Sequence, residues 1–246
     1  MAKGGKRQHQ KRVSSPKVWP VDRKKPKSKF VPKISPGPHS KETGMPLMIL
    51  LREVLGKATT KSEVKKILST RRVLIDGRPR RDEKFPVGHM DVVELEGLDE
   101  YYRVQIHSSH RLLPFEIEED DAAYKVCKVV GKRNVRGGHT QISLHDGRNI
   151  LLEKGNDQIS DIRGQYSLKI EIPSQEILEI LPLEEGARAM VTEGRHQGRI
   201  GKITSIERRY GPRASEVILE DETDDEPFRT ALDFVFILSD DIELQR

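Results

Sequence analysis

One cysteine, Cys127, serves a chain of 246 residues. No internal disulfide is possible, and the usage fits a reducing compartment such as the cytoplasm. A lone cysteine cannot build a structural zinc site, and His107 and His110 have no cysteine or carboxylate partner at ligand spacing. Long apolar runs are also missing. The longest, residues 47–51, stops at Arg52, far short of the ~18 residues that span a bilayer. The basic N-terminus lacks the apolar stretch of a secretory signal. There is no GxxxxGK[ST] loop and no GxSxG elbow, and the glycines of 194–201 lie between expected strands, not ahead of a helix. These absences exclude the familiar catalytic frameworks. No enzyme, no cofactor, no metal, no membrane and no small-molecule substrate is expected.

What the chain has is charge, unevenly placed. The first 44 residues hold thirteen Lys and Arg against Asp22 and Glu42, net +11, while the whole chain is only +5. Residues 45–246 therefore sum to −6. The arm carries six prolines, at 16, 20, 26, 32, 36 and 38, which break helices and remove ladder donors. Such a segment is expected to be disordered alone and to order on a polyanion, for which nucleic acid is the strongest candidate. Lys3, Lys6, Arg7, Lys11 and Arg12 form one basic cluster, with Lys17 beyond it. Arg23, Lys24 and Lys25 lead a second cluster that continues to Lys29. Trp19 and Phe30 interleave, fit either to stack on unpaired bases or to pack into a groove as the arm orders.

After the SPGPH turn at 35–39 the pattern becomes that of a folded module. Pro46 suits a first helical turn, and Leu47, Leu50, Leu51, Val54 and Leu55 repeat as one apolar stripe that Gly56 ends. Thr60 with Glu63 is a capping box that opens a second helix ending near Ser69. A strand at 73–75, a tight Asp76-Gly77 turn, a loop at 86–88 and a strand at 91–95 follow. Residues 57–84 hold ten bases against four acids. Lys61, Lys65, Lys66, Arg71, Arg72, Arg78, Arg80 and Arg81 are the candidate contacts to a phosphate backbone.

The run LxxLLxxVLGKATTKSEVKKIL…VLIDGRPRRD…FPVGHMDVVEL resembles the small RNA-binding domain named after small-subunit ribosomal protein four. HQKRVSSPKVWPVD at 9–22, SPGPH at 35–39 and YKVCKV at 124–129 resemble the archaeal and eukaryotic (e) type of that protein. GARAMVTEGRHQGRIGKITSI at 186–206 looks like a KOW motif, with Arg195, His196 and Arg199 on its loop as further candidates. Strands are expected at 102–106, 124–130, 142–144, 149–152, 167–172, 217–219 and 234–238, with an acidic loop at 116–121. Arg133, Arg136, His139 and Arg148 form a sparse basic group around Gly137-Gly138, read equally well as loop charge.

The resemblance implies an α+β multidomain chain. Its expected parts are a basic arm at 1–42, a small α/β RNA-binding domain at 43–105, a β-barrel-like central domain at 106–176 and a KOW-type small β-barrel at 177–246. It further implies a ribosome-bound, cytoplasmic partner of small-subunit rRNA and neighbouring small-subunit proteins. Eukaryotic relatives carry a longer basic tail, so an end at Arg246 points to the archaeal type. The rival from another class is an RNA-modifying or transcription-linked factor built from the same modules.

Overall fold

The computed structural model describes residues 10–24, 28–209, 214–222 and 227–242. The chain divides into two compact units. The first comprises the described residues of Met1–Gln105 with Arg111–Ile117, and the second Ile106–His110 with those of Glu118–Arg246. No helix among the described residues is long and apolar enough to cross a membrane.

In the first unit, strand β1 (Gln10–Lys11) pairs antiparallel with β2 (Phe30–Val31), closing the arm into a loop. Here the expectation of a disordered arm is corrected for residues 10–24 and 28–42. Val18, Trp19, Val21 and Val31 are buried, and the Trp19 indole N–H donates to the Gly44 carbonyl at 2.7 Å. The arm holds too little apolar surface to fold alone, but it borrows the module's core. Its three β-branched residues and its tryptophan supply the contact.

β3 (Gly44–Pro46) pairs with β6 (Pro86–Gly88), so the stretch expected as a loop is a strand. Helix α1 (Leu47–Ile49) passes directly into a π turn over Leu50–Val54, and Gly56 ends it at φ +64°. Leu47, Met48, Ile49, Leu50 and Leu51 are all buried, which replaces the single stripe with burial on every side. α2 (Lys61–Ser69) begins at the capping box. The Glu63 amide N–H donates to Thr60 Oγ1 at 3.2 Å, and the Glu63 carboxylate accepts from the Thr59 and Thr60 amides. Those bonds, led by the Thr59 amide, hold the Glu63 carboxyl down to about 2.

β4 (Val73–Ile75) turns into β5 (Arg78–Pro79) through Asp76 and Gly77, both left-handed at φ +49° and +70°. That is the primed hairpin turn the Asp-Gly pair favours. β7 (Val92–Leu95), β8 (Glu100–Ile106) and β9 (Leu112–Ile117) complete a five-stranded sheet in the order β5-β4-β7-β8-β9. β9 takes the start of the stretch expected as an acidic loop, and α3 (Glu119–Ala122) takes most of the rest. His39 and Asp91, both almost wholly buried, pair at 3.0 Å and tie the end of the arm to the module.

The second unit holds two five-stranded antiparallel sheets. In the first, β10 (Tyr124–Asn134), β11 (Thr140–Leu144), β12 (Asn149–Leu152), β13 (Ser167–Glu171) and β14 (Ile177–Leu181) run in the order β12-β11-β10-β13-β14. Cys127, Val129, Ile142, Leu144, Ile162, Leu168 and Ile170 form its core, with the short helix α4 (Gln158–Asp161) beside it. In the second, β15 (Arg188–Val191), β16 (Ile200–Glu207), β17 (Glu216–Asp221), β18 (Pro227–Ala231) and β19 (Val235–Ile237) run β18-β17-β16-β15-β19. The Lys128 ammonium on β10 joins the sheets, donating to the Asp233 and Val235 carbonyls at 2.7 Å each. Burial pushes its pKa down to about 8.

Lys125 and Asp146 lie within the β10–β11 side of the unit, 0% and 1% exposed and 3.1 Å apart, and the Arg148 Nε is also 3.1 Å from Asp146. Burial works against the Asp146 charge, but Lys125, His145 and Arg148 together outweigh it and keep its pKa below the ordinary carboxylate value. A depressed folded pKa contributes stability that is complete above that ordinary value and is lost as pH falls through the folded one. Asp146→Asn strands a buried ammonium and should cost about 3–5 kcal/mol in denaturant unfolding at pH 7. The deficit relative to wild type should shrink below pH 4, and a constant deficit would mean that Asp146 acts through its shape alone.

Candidate nucleic-acid interface

The cationic side chains of the first unit divide into those the protein holds for itself and those it leaves outward. Arg12 belongs to the first group. It is 4% exposed, and its guanidinium grips Glu53 with both ends, Nη1 to Oε2 at 3.1 Å and Nη2 to Oε1 at 2.8 Å, while Nε donates to the Ser28 carbonyl. Burial opposes the Glu53 charge, and Arg12 with Arg52 overrides it, lowering the carboxyl pKa. Trp19 is 1% exposed and packs as protein core, the second of its two expected roles. Arg12 and Trp19 therefore leave the candidate set, because their polar groups are used inside the fold. Arg23 is half-buried and donates to the Pro16 carbonyl at 2.6 Å. Lys11, Lys17 and Lys24 are exposed. Lys3, Lys6, Arg7 and Lys25 lie outside the described residues.

On the module, α2 begins at Lys61, and the i, i+4 spacing brings Lys61 and Lys65 to one side of it. Both reach Glu83, at 3.2 and 3.8 Å, while each side chain stays 57% exposed. Arg80 lies over the Phe85 ring, 4.3 Å from its centroid, and is half-buried. Lys66, Arg71, Arg72, Arg78 and Arg81 are exposed and make no ion pair among the described residues. Their placement follows from the backbone. The Arg80 amide donates to the Val73 carbonyl at 3.0 Å, so Arg72 and Arg81 sit together at the open end of the β4–β5 hairpin, with Arg71 adjoining. Arg71 is left-handed at φ +62°, just past the end of α2. An L side chain there costs roughly 1–2 kcal/mol, and glycine would avoid that strain. Backbone strain carried by an exposed cation fits selection for the cation.

The KOW-like loop is held differently. His196 stacks at 5.0 Å on Phe228, and the Arg199 guanidinium lies 5.5 Å from the same ring, with its Nε 3.7 Å from Asp221. Burial, then Arg199 and Arg195, lower the His196 pKa below its ordinary value. Arg195 alone is exposed without an ion pair among the described residues. The glycines serve the protein. At Gly198, φ is +86° and a Cβ would lie 2.4 Å from the His107 carbonyl oxygen, while at Gly201 it would lie 2.3 Å from that of Glu220. In the central sheet, Arg133 donates to the Gln141 side-chain oxygen Oε1 and Arg148 binds Asp146, while Arg136 is exposed. Two lysines that the sequence patterns pass over, Lys33 and Lys41, join Lys61 and Lys84 around a groove in the first unit. Nothing in their spacing signals this, because the fold of the arm brings them together.

Replacing Arg71, Arg72, Arg78 and Arg81 with Gln should flatten the slope of log affinity against log salt by ~0.7–0.9 for each phosphate that is no longer neutralised. An unchanged slope with weaker binding would assign these arginines to base reading or to folding. For the loop, Gly198→Ala should cost about 2 kcal/mol or more through strain and the His107 clash, a melting-point decrease of about 4–8 °C. Arg195→Ala should leave the melting point unchanged, and equal decreases in the two variants would contradict this division.

Comparison with known proteins agrees with that geometry. The model of the Ribosomal family S4e matches residues 98–177, the RS4NT (NUC023) domain 4–42, the S4 domain 45–93 and the KOW motif 185–220. The small ribosomal subunit protein eS4 of Ignicoccus hospitalis is 42% identical over 238 residues, covering 95% of this chain and 92% of the relative. That of Methanothermobacter thermautotrophicus is 41% identical over 241 residues, covering 98% and 96%. The crystal structure of the 30S ribosomal protein S4e from Thermoplasma acidophilum matches with a TM-score of 0.66 and 29% identity, covering 80% of this chain and 95% of that one. An S4-type basic module, a KOW-type sheet and near full-length similarity coincide in one chain, and it belongs to the eS4 family of small ribosomal subunit proteins.

Proposed function

We propose that this chain is a structural constituent of the small ribosomal subunit, of the archaeal type, that binds rRNA and neighbouring ribosomal proteins and supports translation. It is not an enzyme. The observation that carries the reading is the cluster of exposed cations at the end of α2 and the open end of the β4–β5 hairpin, on a module that the S4 domain model matches. Charge there is placed to meet a phosphate backbone, and no carboxylate among the described residues pairs with it.

The protein acts as four segments, the arm at 1–42, the RNA-binding module at 43–105, the central sheet at 106–176 and the KOW sheet at 177–246. Lys66, Arg71, Arg72, Arg78 and Arg81 carry the main rRNA contact, with Lys61 and Lys65 shared with Glu83. Lys3, Lys6, Arg7, Lys11, Lys17 and Lys24 extend it, and Arg195 offers one outlying contact. The protein works ribosome-bound, in the cytoplasm.

Co-sedimentation tests this reading. After a moderate salt wash, the protein should remain with small subunits at one copy per particle. Sub-stoichiometric retention, or release in the wash, would favour a factor that visits RNA transiently.

A further inference from the structure

The return leg of the arm does more than close a loop. Residues 30–37 and 39–41, with Gln10, Lys61 from the start of α2 and Lys84 from the loop before β6, line a groove of about 880 Å³ within the first unit. Four lysines border it, Lys33, Lys41, Lys61 and Lys84, and no aspartate or glutamate among the described residues does. Two acids stand just behind this lining, Asp82 accepting from the Ser35 hydroxyl at 2.9 Å and Glu83 3.2 Å from Lys61, which stays more than half exposed. Phe30, Val31 and Ile34 supply apolar wall, and Gln10, Ser35, His39 and Ser40 add polar groups. Phe30 is 46% exposed, in a chain that buries its only tryptophan, and Lys29 Nζ sits 5.9 Å from its ring centroid.

The groove is built in advance of any ligand. The Ser35 amide donates to the Lys84 carbonyl and its hydroxyl to Asp82, both at 2.9 Å. His39 is held by Asp91, and Gly37 lies so close to Pro86 that a Cβ would come within 2.6 Å of its ring.

We propose that this groove takes an unpaired stretch of RNA, with one base stacked on Phe30 and the adjoining phosphates set against Lys33, Lys41 and Lys84. The proposal rests on the rRNA-binding reading and adds a second mode to it, distinct from the arginines that face a phosphate backbone. A volume of this size, near the top of the ~300–1,000 Å³ range for ligand pockets, holds about one or two nucleotides and no duplex. An exposed aromatic ring beside lysines is the combination that single strands use, since every base has a face to stack and every link a phosphate. An acidic peptide would satisfy the lysines but gain nothing specific from the ring.

The test uses the full chain and two labelled probes, a short single-stranded oligouridine and a fully paired RNA hairpin. Phe30→Ala should weaken the single-strand affinity about 5- to 150-fold and leave the hairpin affinity unchanged. Phe30→Leu, which keeps apolar bulk without the ring, should weaken it nearly as much. A Lys33→Gln, Lys41→Gln, Lys84→Gln variant should flatten the single-strand salt slope by ~0.7 for each phosphate that is no longer neutralised. A 4-thiouridine probe should cross-link within residues 30–41. Unchanged single-strand binding in both Phe30 variants would overturn the proposal, as would cross-links confined to other segments. So would a Glu-rich peptide that displaces the oligouridine and binds wild type and Phe30→Ala alike. Failure of wild type to bind the hairpin would instead count against the rRNA-binding reading itself.

Discussion

The buried grip of Arg12 on Glu53 is the contact on which the arrangement of the first unit depends. It takes a cation from the most basic stretch of the chain and places it, almost fully desolvated, against a carboxylate on the π turn that follows α1. A buried ion pair is weak as a source of net stability, since desolvation cancels much of the Coulombic gain. Breaking it is costly, and that asymmetry makes it a device for choosing one placement over others. With Arg12 fixed, Trp19 reaches the Gly44 carbonyl, Leu112 donates its amide to the Val18 carbonyl, and the strand pair Gln10–Lys11 with Phe30–Val31 closes. The arm is held by a few specific polar contacts laid over a small apolar patch.

That placement divides the positive charge. Glu100 engages Lys57, Asp146 engages Lys125, and Glu83 partly engages Lys61 and Lys65. On the module, one group of outward cations without an ion pair among the described residues gathers around one helix end and one hairpin. A carboxylate within reach would screen these cations from a phosphate, so the surface works as much through the acids it lacks as through the bases it has. Arg71 shows the strain in this arrangement, because its backbone takes the left-handed conformation that a glycine would take more readily.

Much of this was legible in the residues. The capping box, the Asp-Gly turn, the helix end at Gly56 and the strands of 124–130, 149–152 and 217–219 depend on local chemistry, and local chemistry can be read from neighbours in sequence. The family resemblance rested on the same short patterns. What stayed hidden depended on distant partners. Nothing within a few residues of Trp19 says that the Gly44 carbonyl, far along the chain, will accept from its indole, and composition alone argued for disorder. Pro86–Gly88 reads as a loop by its proline and glycine, and becomes a strand because Gly44–Pro46 lies beside it. The site was half legible for the same reason. Sequence located the basic module, but only burial separated Arg12, committed inward, from Arg72 and Arg81, left outward.

The glycines of the KOW-like loop show how a pattern that suggests ligand binding can be answered by the protein itself. A glycine that permits close backbone approach leaves the identity of the approaching group open. Here the approaching groups are the carbonyls of His107 at Gly198 and of Glu220 at Gly201, both from the same unit. Around them His196 and Arg199 share the Phe228 ring, and Asp221 takes part of the arginine's charge. The loop is thus a packed corner with one arginine projecting from it. In the first unit the aromatic that stays exposed, Phe30, stands among lysines in a groove that no described carboxylate lines. Phe228 is buried and shares its face with a histidine and with an arginine that a carboxylate adjoins, whereas Phe30 is 46% exposed among lysines.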